Sequence, residues 1–202
     1  MTKRATAPIS YLTKAQVELL LFHAPPEPKG LPQLAFLFMW RAGLRVSEVA
    51  NLKVQDIRLD SLEGGHKQWT LEVVKSKSGK PRTVPMHADL ARSFVDFVTY
   101  TGRKPGEYIF TSNRKKNGVK IARPIDTSTI GRWLKIAQKQ TTLETMPISN
   151  HTLRHSYARH CLLQGIPINV ISLWLGHANL KTTVDTYLAL APDPLQLIKS
   201  ID

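Results

Sequence analysis

The stretch Trp174-Leu175-Gly176-His177-Ala178-Asn179-Leu180-Lys181-Thr182-Thr183-Val184-Asp185-Thr186-Tyr187 decides how the chain is read. Gly176 marks a helix end, because helices often stop on a residue in the left-handed conformation that glycine adopts without strain. Pro167 opens that helix, since its missing N–H is no loss in a first turn. A second helix follows from about Lys181 to Leu190. Just upstream, His151-Thr152-Leu153-Arg154-His155-Ser156 begins a helix of about Thr152 to Leu163 that stops at Gly165. Spacing i, i+3 puts His151 and Arg154 on one face of it. The last third is therefore helical and carries its charged and proton-handling groups at helix ends.

Further upstream the pattern changes. Trp69 to Val74 and Arg82 to Met86 have strand composition, and Lys75-Ser76-Lys77-Ser78-Gly79-Lys80 between them is a polar turn. This predicts a β-hairpin with a basic tip, joined by a third strand near Ile57. A helix follows, about Ala88 to Thr101, and Thr127 or Ser128 caps another that runs to about Gln140. In the first quarter, Thr13 caps a helix to about His23, and the run Pro25 to Gly30 breaks it. Leu31 to Ala42 is apolar nearly all round, which predicts a buried helix ended by Gly43. Ser47 is then expected to cap a short helix through Asn51. The expected fold class is α+β, mainly α-helical, with a small antiparallel β-sheet on one edge. The expected organisation is an N-terminal arm at 1–11, one domain at 12–190 and a C-terminal tail at 191–202.

The composition narrows the function. Of 202 residues, 28 are Lys or Arg against 15 Asp or Glu, a formal net charge of +13. A chain this basic meets polyanions, and nucleic acid comes first among them. Residues 103–139 alone hold ten Lys or Arg against two acids. The candidate DNA contacts are Lys75, Lys80, Arg82, Arg114, Lys115, Lys116, Lys120, Arg123 and Arg132. The single cysteine, Cys161, excludes a disulfide framework and a zinc site built from several cysteines. His151, His155, His160 and Cys161 cluster in sequence, but no carboxylate lies within the His151–His155 pair as a zinc-protease box requires. Cys161 reads as core packing, His155 as a group behind the phosphate site, and no metal or other cofactor is expected. The start of the chain has no apolar run of the signal-peptide kind, and Leu34 to Trp40 is too short for a bilayer. A cytoplasmic protein away from membranes is expected.

Five features carry chemistry only when taken together. Arg45 lies in a tight turn after Gly43, and Lys77 sits at the hairpin tip. His151 and Arg154 begin one helix, His177 ends the next, and Tyr187 follows ten residues on. Singly, each has a plainer reading: a surface arginine, a solvated lysine, a helix-capping histidine, a packing tyrosine. In this order, with the phrases Gly43-Leu44-Arg45-Val46-Ser47-Glu48 and Trp174-Leu175-Gly176-His177, the chain resembles the tyrosine recombinase (phage integrase) family over about residues 12–190.

That resemblance implies a site-specific DNA recombinase working through a covalent 3′-phosphotyrosine, in integration, excision, inversion or resolution. It implies that Arg45 and Arg154 grip the scissile phosphate and that Lys77 protonates the leaving 5′-oxygen. His151 takes the phenol proton or holds the phosphate while another base does so. His177 donates a further hydrogen bond to the phosphate, Tyr187 is the nucleophile, and Glu48 is structural. Two departures stand out. The His177–Tyr187 gap is ten residues where many members have nine, and the usual DNA-clamping domain before the catalytic one is not seen, as in short fimbrial phase-variation invertases. The implied partners are a double-stranded recombination site, a homo-tetramer on two duplexes that is monomeric in free solution, and an accessory DNA-bending protein. From the residues themselves, the leucines and isoleucines of 188–202 either fold back on the chain's own core or, with Pro192 and Pro194 sending the chain outward, dock on a neighbouring subunit. Two alternatives share parts of this pattern: a type IB topoisomerase-like relaxing enzyme, and a non-catalytic DNA-binding regulator.

Overall fold

A computed structural model describes residues 11–28, 30–74, 81–112, 115–116, 119–120 and 123–187. Lys75, Lys77, Lys80 and Arg114 lie outside these residues, as do the N-terminal arm up to residue 10 and the tail from residue 188. The elements run α1 (Lys14–Phe22), α2 (Leu31–Arg41), α3 (Val46–Ala50), β1 (Ile57–Ser61), β2 (Lys67–Val73), β3 (Arg82–Pro85) and α4 (Ala88–Thr101). After them come β4 (Lys115–Lys116), β5 (Val119–Lys120), α5 (Thr127–Lys139), α6 (Asn150–Leu163), α7 (Ile168–Leu175) and α8 (Leu180–Tyr187). The α+β, mainly helical class with a small antiparallel sheet is the one found.

The apolar α2 is the axis of the core. Nine of its eleven residues, from Leu31 to Trp40, are buried on every face, and α1, α4, α5 and α6 pack around it. Burying each large apolar side chain contributes roughly 1.5–3 kcal/mol, so this helix anchors the domain. The sheet has the order β1-β2-β3, antiparallel throughout, with Ile57 opposite Leu71 and Leu71 opposite Val84. Those three residues are buried, and Trp69 of β2 meets Phe94 of α4 edge to face. No helix among the described residues is long and apolar enough to cross a membrane.

The helix starts follow local chemistry. Thr13 caps α1 as expected and forms a reciprocal box with Gln16. Asp126, not Thr127 or Ser128, caps α5, because its carboxylate reaches the Ser128 amide at 2.8 Å. Ser149 caps α6, which starts at Asn150, slightly before the expected Thr152. α3 differs more. Ser47 lies inside the helix, Arg45 is the cap, and Glu48 closes the turn by accepting the Arg45 amide at 2.8 Å. A carboxylate suits a helix start, where backbone N–H groups lack partners.

Candidate active site

Two glycines shape the ground on which the site stands. Gly43, at φ +63°, turns the chain from α2 into α3, and a β-carbon there would sit 2.5 Å from the Tyr157 ring and 2.9 Å from Leu175. Gly176, at φ +64°, ends α7, and a β-carbon there would collide with the Arg82 guanidinium at 2.8–2.9 Å. Both positions need the left-handed backbone and the missing side chain.

The end of α7 presents three carbonyls, and each accepts a hydrogen bond from a different arginine. Trp174 O receives Arg82 Nε at 2.7 Å. Leu175 O receives Arg154 Nη2 at 2.6 Å. Gly176 O receives Arg45 Nη2 at 3.2 Å. A helix C-terminus leaves its last carbonyls unsatisfied and partly negative, so cations gather there. The same three guanidiniums surround Glu48. Arg82 binds its carboxylate through both Nη atoms at 2.9 and 2.8 Å, Arg45 Nη1 bonds it at 2.9 Å, and Arg154 Nη1 lies 3.9 Å away. Burial alone would raise the Glu48 pKa. Hydrogen bonds and charge from Arg82, then the Arg45 amide and the Arg154 charge, outweigh it and hold the pKa below the ordinary value. Arg154 also bonds Gly43 O, tying α6 to the α2–α3 turn. Burial, then the charge of Arg45, pulls Arg154 down to about 9, which leaves it protonated at neutral pH.

His177 and Tyr187 complete the cluster. His177 Nδ1 lies 2.7 Å from Thr183 Oγ1, whose hydroxyl donates to Ser172 Oγ at 2.8 Å. That hydroxyl therefore accepts from His177, which puts the proton on Nδ1 and leaves Nε2 unprotonated. Burial, then Arg154, Arg45, His155 and Arg82, lowers His177 to about 4. Tyr187 closes α8 and is 0% exposed. Its hydroxyl lies 2.6 Å from His155 Nδ1. Burial pushes the Tyr187 phenol up to about 12 against the pull of Arg154. His155 is lowered to about 4 by burial, then by His151 and Arg154. His151, at the solvent side of α6, is lowered by burial, Arg154 and Arg45, and its ring centre is 6.4 Å from that of His155.

The structure thus brings Arg45, His151, Arg154, His177 and Tyr187 into one place, while Lys77 lies outside the described residues. Arg82 needs correction as a candidate DNA contact. It is 7% exposed, and its guanidinium is engaged by Glu48 and Trp174 O, so it cannot reach a DNA backbone. The signal was legible: Arg82 and Val84 stand two apart on a strand, hence on one face, and Val84 is buried. Arg123 and Arg132 are exposed, and Lys115, Lys116 and Lys120 fall in the β4–β5 pair. Two residues gained importance. Glu48, read only as structural, gathers the arginines. His155, read as lying behind the phosphate site, meets the nucleophile candidate directly. His160 packs against Trp40 and Cys161 is buried in the core. Among the described residues no three His, Cys, Asp or Glu side chains form a group that could hold a metal ion.

Comparison with known proteins shows the family to which the chain belongs. The sequence model of the phage integrase family matches residues 10–193. Tyrosine recombinase XerA of Pyrococcus furiosus is 34% identical over 174 residues, covering 85% of this chain and 54% of that protein. Tyrosine recombinase XerD of Ralstonia nicotianae is 34% identical over 181 residues, covering 85% and 53%. The crystal structure of XerA recombinase superposes with a TM-score of 0.72 at 25% identity, over 98% of this chain and 65% of that one. The chain spans about half the length of the curated relatives it matches.

Proposed function

The chain belongs to the phage integrase family, and from that premise we propose that it breaks and rejoins double-stranded DNA at a specific site through a covalent 3′-phosphotyrosine on Tyr187. The observation that carries the reading is the joint anchoring of Arg45 and Arg154 on Glu48 and the end of α7, with Tyr187 beside Arg154. Two fixed guanidiniums hold both non-bridging oxygens of a phosphodiester by paired N–H donors. A guanidinium has five N–H groups; the bonds found among the described residues use two of those on Arg154, to Gly43 O and Leu175 O. Arg154 is itself 3% exposed, so its remaining N–H groups reach phosphate only once DNA binding opens the site. Donors fixed before the reaction stabilise the charge that grows on the oxygens in the five-coordinate transition state. His177 presents Nε2 and His151 its ring toward the same phosphate, each donating once protonated beside the anion. Lys77 gives the leaving 5′-oxygen its proton. The phosphoester energy is kept in the tyrosine bond, so rejoining requires no ATP.

Tyr187 is fully enclosed in the free protein. DNA binding must therefore open a path between its hydroxyl and the phosphate. We extend the proposal to a homo-tetramer on two duplexes, in which the segment after α8 docks on a neighbour, with an accessory DNA-bending protein as a further partner. The test is a duplex nicked beside the scissile phosphate, which traps the covalent adduct for a denaturing gel. The wild-type chain should form the adduct in excess EDTA, and Tyr187→Phe should bind the site and form none. Arg154→Ala should slow adduct formation by about 10²–10³-fold, the scale of one lost transition-state donor. An adduct from Tyr187→Phe, or a strict need for a divalent ion, refutes the assignment.

A further inference from the structure

The nucleophile candidate has one polar neighbour within hydrogen-bond reach among the described residues, and it is not the histidine that the motif puts first. Tyr187 Oη and His155 Nδ1 are 2.6 Å apart, with ring centres at 5.7 Å. His151 lies a turn earlier on α6, toward solvent. We infer that His155 is the group that takes the proton from Tyr187 when the phenol attacks phosphorus, and that it returns the proton when the strand is rejoined. This rests on the strand-cleavage reading above.

Proton transfer requires a particular direction of this bond. A phenol held near 12 keeps its proton at neutral pH, and an imidazole held near 4 has none to give from Nδ1 unless that nitrogen bears its single hydrogen. This role uses the tautomer with the hydrogen of His155 on Nε2, in which Oη–H donates and Nδ1 accepts across the 2.6 Å contact. A general base must be unprotonated, with its accepting atom within about 2.6–3.2 Å of the atom that carries the proton. His155 meets both conditions in the free protein. In the free state the transfer is strongly uphill, so the nucleophile rests as an uncharged phenol. Attack changes this: as the Oη–P bond forms, the phenol becomes steeply more acidic and its O–H bond breaks toward Nδ1. The product is an imidazolium beside the phosphodiester anion, which favours it. At the far side the P–O5′ bond breaks and the 5′-oxygen takes a proton from the general acid proposed above. In rejoining, the 5′-hydroxyl returns that proton to the same group as it attacks, Oη leaves, and Nδ1–H reprotonates it. His155 follows Arg154 directly on α6, so one helix turn sets both the phosphate grip and the proton acceptor.

The experiment replaces His155 with asparagine, whose Oδ1 can occupy the place of Nδ1 and accept the hydrogen bond but cannot take a proton. Single-turnover cleavage of the nicked duplex by His155→Asn should fall about 10²–10⁴-fold, the range for loss of a general base, with site binding retained. Incorporating a fluorinated tyrosine at position 187, whose phenol is more acidic, should recover about tenfold or more of that loss, because a better acid depends less on its base. It should not rescue Arg154→Ala. Cleavage by His155→Asn near the wild-type rate, or a slow variant that the fluorinated tyrosine fails to rescue, overturns the role. Nitrogen NMR of the wild-type chain gives a measure independent of the variant. The His155 Nδ1 signal should be that of an unprotonated nitrogen and should move in Tyr187→Phe; a protonated or unmoved signal also overturns it. No adduct from the wild-type chain refutes strand cleavage itself, whereas equal adduct from wild type and His155→Asn refutes only the part given to His155.

Discussion

At Glu48 a carboxylate with almost no access to water faces three guanidiniums. Burying so many charges is costly, and what offsets the cost is their mutual pairing and the α7 carbonyls that take the remaining donors. Removing one member leaves the others uncompensated, a loss of about 3–5 kcal/mol where a buried pair is broken. Glu48→Gln should therefore lower the free energy of unfolding by about 3 kcal/mol, read from urea titration, and a change under about 1 kcal/mol would contradict the pairing. The neighbouring histidines set a second expectation. His155 and His177 are held near 4, below the ordinary 6.5. As pH falls from about 6.5 to about 4, an unfolded chain takes up protons at these two groups that the folded chain refuses, so stability falls through that window. Glu48 acts lower down. Its pKa is below the ordinary 4.5, so its contribution is complete above that value and is lost as pH drops through the folded one. Unfolding midpoints taken from about pH 7.5 to about pH 4.5 should decline, and His177→Gln should flatten the decline. A midpoint that holds constant across the range would show that neither histidine resists protonation.

The elements were more legible than their junctions. α4 occupies Ala88–Thr101 as expected, and nine of the eleven residues of α2 are buried, as its nearly all-apolar sequence indicated. The order Gly43, Arg45, His151, Arg154, His177, Tyr187 named residues that the structure brings together. What the sequence concealed was which side chain meets which. Basic neighbours in sequence made Arg82 look like a surface charge, while the two-residue strand period turns it inward with Val84. His155 looked secondary because its meeting with Tyr187 joins α6 to α8 across 32 residues, which no local pattern reports. Arg82 tests this at the level of the elements, since it fastens β3 to α3 and to the end of α7. Arg82→Ala should destabilise the fold by about 3 kcal/mol and slow cleavage, yet leave the salt dependence of DNA binding unchanged, because no phosphate contact is lost. A smaller slope of log affinity against log salt for Arg82→Ala would place it on the DNA after all.

Over the whole molecule, charge separates into two uses. Around Glu48, arginines are held by partners of the protein's own; along the sequence, residues 103–139 carry much of the net +13. Each lysine or arginine that neutralises a phosphate contributes about 0.9 to the salt slope of binding. Neutralising Lys115 and Lys116 together should flatten that slope by about 2 and weaken binding to all sequences alike; a change of site preference at constant slope would refute this use. The inner group has its own arithmetic. Three guanidiniums around a single carboxylate leave a surplus of two positive charges at the end of α7. A phosphodiester brings one negative charge, and its five-coordinate transition state carries two. On the proposed strand-cleavage reading, the arginine surplus exceeds the charge of the phosphodiester and matches that of the transition state before any histidine is protonated, so the arginine cluster favours the latter. Glu48 is then a charge regulator: by cancelling one arginine it sets the cluster to the valence of the state to be stabilised and spares the ground state an over-tight grip.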